Sequence, residues 1–143
     1  LFEGDLNFNA VVETLTAGGA RVAMCQRFLP EIREGGDKRI LLLDGEPLGA
    51  ILRLPQAGDL RSNIHVGGRV VSTELDEADR HIVATVAPRL RNDGLNFVGL
   101  DVIASKLTEV NVPSPTGIQQ MSRLSGEALE ARVISHFESL CGG

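Results

Sequence analysis

The sequence has little of what several common chemistries require. Two cysteines, Cys25 and Cys141, and three scattered histidines make no metal-ligand pattern. A Cys/His metal centre is therefore not expected, and the cysteine usage points to a reducing cytoplasm. Positive charge is in deficit, with 14 Lys and Arg against 19 Asp and Glu and no basic run. That balance argues against nucleic acid or an anionic membrane as the main partner. No apolar run approaches the ~20 residues of a membrane span, and no signal segment is read at the start. Internal repeats and low-complexity tracts are absent as well. What remains is a chain that is 43% hydrophobic and 23% charged, the composition of a soluble globular protein. At 143 residues it can form one domain that buries about two-thirds of its unfolded surface.

The most informative stretch is residues 95–117, LNFVGLDVIASKLTEVNVPSPTG. Two β-branched apolar runs, residues 97–103 and 107–112, flank Ala104-Ser105-Lys106, which predicts a hairpin. Side chains alternate faces along a strand, so Glu109 and Asn111 point the same way. With a three-residue loop over 104–106, Asp101 lies opposite Glu109 on that face. Two carboxylates ~5 Å apart repel by roughly 3 kcal/mol at an effective dielectric near 20. A divalent cation removes that repulsion, and an Asp/Glu/Asn oxygen set suits Mg²⁺ bound together with a substrate phosphate. An exposed polar face on an edge hairpin explains the same letters.

Along the rest of the chain, Asn7 or Asn9 can cap a helix over residues 10–16, ended by Gly18-Gly19. Residues 20–29 read as a core strand, and residues 30–36 as a turn-rich connection. Residues 38–43 and 48–54 are strands around the turn Asp44-Gly45-Glu46-Pro47. If Asp44 pairs with Leu48, Arg39 lies opposite Arg53. Like charges so placed favour an anion between them, although both could equally reach solvent or surface acids. Residues 55–69 lack a sustained period and carry three glycines, which predicts a lid or a mobile surface loop. A helix opens at Ser72 or Thr73 with the stripe Leu75, Ala78, Ile82, Val86 and Leu90. Two further helices follow the Pro-flanked turn 113–117. The first covers residues 118–124 and the second residues 126–140, capped by Ser125, with Leu129, Val133, Phe137 and Leu140 as its core face.

These segments carry a resemblance. FVGLDVI and LTEVNVPSPTGI look like the metal-binding segment at the C-terminal end of ATP-grasp ligases, and the bacterial glutathione synthetase family is the nearest match. VVETLTAGG, GDKR, DGEP, RLPQAGDLRSN and GGR extend the likeness in the same order along most of the chain. The resemblance implies an α+β fold, the ATP-grasp C-terminal subdomain, with a mainly antiparallel sheet and flanking helices. Members of that family are roughly twice this long, and the chain starts at Leu1 without a Met. It is therefore expected to be the C-terminal portion of a longer enzyme, with the ATP-holding lysines and glycine-rich loop upstream.

The resemblance also implies roles. The activity is ATP-dependent joining of γ-glutamylcysteine to glycine through an acyl phosphate, with Mg²⁺ or Mn²⁺, by a cytoplasmic homo-oligomer of the full-length enzyme. Backbone groups of Gln26, Arg27, Phe28 and Leu29 would read the adenine, with Asp37 near the ribose. Arg39 and Arg53 would face the dipeptide and the acyl-phosphate centre. Arg61, Asn63, Gly67 and Gly68 would close from the lid. Ser114, Pro115 and Thr116 would meet a substrate carboxylate, and Asp101, Glu109 and Asn111 would hold the metal. Two other readings stay open here. One is a different ATP-grasp ligase, making D-alanyl-D-alanine or adding glutamate. The other is a nucleotide-binding regulatory module without chemistry.

Overall fold

The computed structural model describes residues 4–55 and 69–142. Its strands are β1 (Asp37–Leu43), β2 (Glu46–Leu54), β3 (Arg69–Ser72), β4 (Phe97–Ile103) and β5 (Lys106–Asn111). They form one antiparallel sheet in the order β3-β2-β1-β4-β5. Among the described residues five helical segments accompany it: α1 (Phe8–Thr16), the short α2 (Ile32–Gly35), α3 (Glu77–Asn92), α4 (Ile118–Ser125) and α5 (Leu129–Cys141). The architecture is α+β, as the sequence predicts.

Strand alternation divides the sheet into two faces. Ile40, Leu42, Val98, Leu100 and Val102 share one face, where Val83 and Leu90 of α3 close a first core. Leu41, Leu48 and Ile51 lie in a second core on the other face, with Met121 of α4 and Leu129 and Val133 of α5. Each buried aliphatic side chain contributes about 1.5–3 kcal/mol. The second face changes character along the strands. Beyond the α4/α5 core it carries Asp37, Arg39, Arg53 and Asp101, all buried.

Both hairpins turn on two residues rather than the expected three. Asp44 and Gly45 have φ of 52° and 73°, and Ala104 and Ser105 have φ of 48° and 59°, the tight geometry that matches strand twist. In the first hairpin Leu41 pairs with Gly49 but Leu42 with Pro47, so Leu48 is an extra residue in β2. Asp37 consequently faces Arg53, and Arg39 faces Ile51. Arg39 and Arg53 share a face diagonally, not directly opposite as the three-residue loop required. In the second hairpin a bulge at Thr108 offsets the shorter turn. Val102 pairs with Leu107, yet Asp101 pairs with Glu109 and Gly99 with Asn111. The expected Asp101–Glu109 pairing therefore stands, for a different local reason.

Three other expectations are corrected. Residues 21–29 form no strand; Val22 and Met24 are fully or largely exposed. Their side chains join no core, and what ties the segment to the sheet edge is Gln26, whose Nε2 donates to the Thr108 carbonyl at 3.2 Å. Helix α3 starts later than expected because residues 69–72 pair with β2. Its N-cap is Asp76, in a reciprocal box with Asp79. Its buried residues are Asp79, which turns inward to Lys38, and Val83, Ala87 and Leu90, while Leu75, Ile82 and Val86 of the expected stripe are half-buried against the same core. In α5, Phe137 and Leu140 are 38% and 55% exposed, so only Leu129 and Val133 of the expected stripe reach the core.

Lys38 and Asp79 pin α3 to β1. Burial pulls the Lys38 ammonium down, and hydrogen bonds and charges of Asp79 and Asp76 more than reverse that. The contribution is thus fully present below lysine's ordinary pKa of 10.5 and is lost only as pH rises through the higher folded value. Asp79→Ala removes this partner and half of the capping box. It should cost about 2–4 kcal/mol in urea unfolding, with ligand binding unaffected because Asp79 lies on the sheet face away from Asp101.

Candidate active site

The polar half of the second face is built by β1, β2, β4 and β5. Asp101 sits at its centre, 4% exposed. The Arg39 guanidinium grips it bidentately through Nε and Nη2. Arg53 donates Nη2 to Asp101 Oδ1 at 2.9 Å and also to Asp37. Asn111 donates Nδ2 to Asp101 Oδ2 at 3.3 Å, and Thr108 donates Oγ1 to the Asp101 carbonyl at 3.0 Å. Two buried carboxylates and two buried guanidiniums balance, which is the condition under which such charges tolerate burial.

Electrostatics follow from this packing. Burial pushes the Asp101 carboxyl up, but the hydrogen bond from Arg39 and the charges of Arg53 and Arg39 outweigh it. The group is held below the usual carboxylate range and is ionised throughout neutral pH. Arg53 Nε is buried and has no acceptor among the described residues. Glu109 is exposed and adds a net negative charge at the rim.

The polar face opens into a cleft of about 970 Å³. Asp37, Asp101, Thr108 and Glu109 form its floor and rim, residues 23–29 one wall, and Phe8, Val11, Val12 and Leu15 of α1 another. The expected nucleotide-side residues Gln26, Arg27, Phe28, Leu29 and Asp37 thus meet the expected metal-side residues Asp101 and Glu109. Arg39 and Arg53 lie beneath, at 5% and 6% exposure, and their described partners are protein groups. Ser114 and Thr116 are exposed and Pro115 is buried, with the Thr116 carbonyl accepting from Arg39 Nη1 at 3.0 Å. Arg61, Asn63, Gly67, Gly68 and nearly all of the expected lid lie outside the described residues.

Two contributors escaped the sequence reading. Thr108 braces Asp101 from the bulge, and Gly99 leaves room for the 113–117 loop. A Cβ on Gly99 would stand 2.8 Å from the Pro115 Cβ. The signal for Gly99 was its place two residues before Asp101 on the same face.

The oxygen donors fit a hard divalent cation as a partial shell. Among the described residues no three His, Cys, Asp or Glu side chains cluster to hold an ion by themselves. Asp101 and Glu109 are directly cross-strand and Asn111 shares their face, but both Asp101 oxygens are already held by Arg39, Arg53 and Asn111, so the Glu109 carboxylate and the Asn111 amide oxygen are the donors left open to a cation. That is the protein's share expected for Mg²⁺, which keeps waters and takes substrate phosphates for the rest.

An antiparallel sheet with helices on both faces, one face bulged, polar and open to a cleft, defines an α+β domain. The family model described as "Prokaryotic glutathione synthetase, ATP-grasp domain" matches residues 1–126. The chain therefore belongs to the prokaryotic glutathione synthetase family, within its ATP-grasp domain. It is 52% identical over 137 residues to a glutathione synthetase of Synechococcus elongatus, covering 96% of this chain and 42% of that protein. Identity is 53% over 134 residues to one from Gloeobacter violaceus (94% and 41%), and 52% over 122 residues to one from Pseudomonas aeruginosa (85% and 38%). The chain spans about two-fifths of the length of these relatives.

Proposed function

We propose that this chain is the C-terminal portion of an ATP-dependent carboxylate–amine ligase, a glutathione synthase joining γ-glutamylcysteine to glycine. The reading is supported above all by one observation: Asp101 pairs across the sheet with Glu109 at the rim of a cleft that Gln26–Leu29 also line. In the reaction, ATP phosphorylates the dipeptide's terminal carboxylate, and the glycine amine attacks the acyl phosphate and releases phosphate. Residues 26–29 hold the adenine through backbone groups, and Asp37 marks the ribose end. Asp101, Glu109 and Asn111 would hold Mg²⁺, which when bound neutralises phosphate charge. Arg53 places a guanidinium beneath the transferring group, where fixed positive charge favours the transition state. Exposed Ser114 and Thr116 offer hydroxyls to a substrate carboxylate.

The test is product formation by the full-length protein that contains this chain. Given ATP and Mg²⁺, it should release phosphate with γ-glutamylcysteine and glycine and form glutathione. Pairs of D-alanine, or a peptide tail with glutamate, should give no turnover above background. Turnover with D-alanine alone would move the protein to another ATP-grasp activity. Nucleotide binding without phosphate release in any pair would make it a regulatory module.

A further inference from the structure

The geometry points to Arg39 as a positioning residue that couples the Asp101 carboxylate to the 113–117 loop, rather than as a substrate contact. This inference rests on the ligase reading above. Three guanidinium nitrogens are committed inward: Nε and Nη2 hold both oxygens of Asp101, and Nη1 holds the Thr116 carbonyl. The residue is 5% exposed and does not line the cleft. A planar fork with five donors spans two acceptors set at an angle, which an ammonium cannot do.

The slot around Arg39 is shaped to fix it. A Cβ on Gly99 would stand 3.4 Å from Arg39 Cδ and Nη1, as well as against Pro115. A Cβ on Gly117, whose φ is +114°, would stand 3.6 Å from Arg39 Cγ. Two glycines thus let the loop and β4 close on the arginine stem. Asp101 belongs to the cation side of the site and Thr116 to the substrate side. One side chain therefore sets the distance between them. Groups that orient a ligating carboxylate in this way typically alter metal affinity or activity by about 10- to 100-fold when replaced.

The experiment compares wild type, Arg39→Lys and Gly99→Ala in the full-length protein. Mn²⁺ affinity, with and without ATP, is read from the electron paramagnetic resonance of the free ion. Steady-state kinetics are measured alongside. Arg39→Lys should weaken Mn²⁺ binding about 10- to 100-fold and lower kcat similarly, with the KM for γ-glutamylcysteine held within about twofold. Gly99→Ala, which crowds the same slot from the other side, should lower kcat too. The double variant should fall short of the product of the two single effects. A KM raised about tenfold or more with unchanged Mn²⁺ affinity would make Arg39 a substrate contact. A lowered melting temperature with Mn²⁺ affinity intact would make it merely structural. Failure of the wild type to bind Mn²⁺ overturns both this inference and the metal assignment. Wild type that binds Mn²⁺ but makes no glutathione overturns the ligase reading alone.

Discussion

Glu109→Gln in the full-length protein should reduce ligase turnover by about 100-fold or more while leaving the ligand-free melting temperature near wild type. Glu109 is exposed, and its cross-strand neighbour Asp101 is already neutralised by Arg39 and Arg53. The sequence alone suggested that relieving Asp101–Glu109 repulsion could stabilise the apo state by up to ~3 kcal/mol. With two guanidiniums on Asp101, the change should stay within about 1 kcal/mol. The loss should emerge only when Mg²⁺ and ATP must bind together, because an amide offsets less of the cation's charge. Raising Mg²⁺ should restore part of the rate. A large fall in the apo melting temperature would instead mark Glu109 as a structural residue of the hairpin. Calorimetry beside a phosphate-release assay distinguishes the two.

Arg53→Ala should lower kcat by about 10²- to 10³-fold and change the KM for ATP far less. This is the signature of a group that acts mainly on the transferring phosphoryl. Unlike the Glu109 variant, it should also destabilise, by about 3 kcal/mol, since it removes a buried partner of Asp37 and Asp101. The pH dependence supplies an independent check. Asp101 is held below its ordinary 3.8, so its contribution is present above that value and is lost as pH falls through the lower folded one. Without Arg53 the folded value rises, and the acid unfolding transition should begin at a higher pH than in wild type. Unchanged kcat with weakened ATP binding would make Arg53 a nucleotide contact. An unmoved acid transition would mean that Arg39 alone sets the ionisation of Asp101.

By itself the sequence determined the class and four of the five strands, but it missed β3 and read a strand over residues 20–29 that does not form. Apolar alternation over residues 97–103 and 38–43, with Gly and Asp at the turn between β1 and β2, is local information, and local information fixes element type. It also put Asp101, Glu109 and Asn111 on one face, because a period of two needs only the register of one hairpin. That register came out right through two offsetting differences, a two-residue turn and a bulge at Thr108. In the other hairpin the turn at Asp44-Gly45 moves the pairing by three positions and the Leu48 bulge returns only one, so Arg39 moved from opposite Arg53 to diagonal.

Only the tertiary structure decided what the arginines do. Their letters fit an anion site, a surface pair or a buried network equally well. The choice depends on β4 lying beside β1, which brings Asp101 to Arg39 across 62 residues of chain, and on the loop whose Thr116 carbonyl arrives across 77. It also decided that residues 21–29 stay outside the sheet. β-propensity describes a fit to a neighbouring strand, and there the neighbouring edge offers the segment a single side-chain hydrogen bond instead of a ladder. In α3 an inward Asp79, held by Lys38 of β1, joins the buried face, while Leu90 of the stripe that hydrophobicity picks out is buried and Leu75, Ile82 and Val86 pack against the same core.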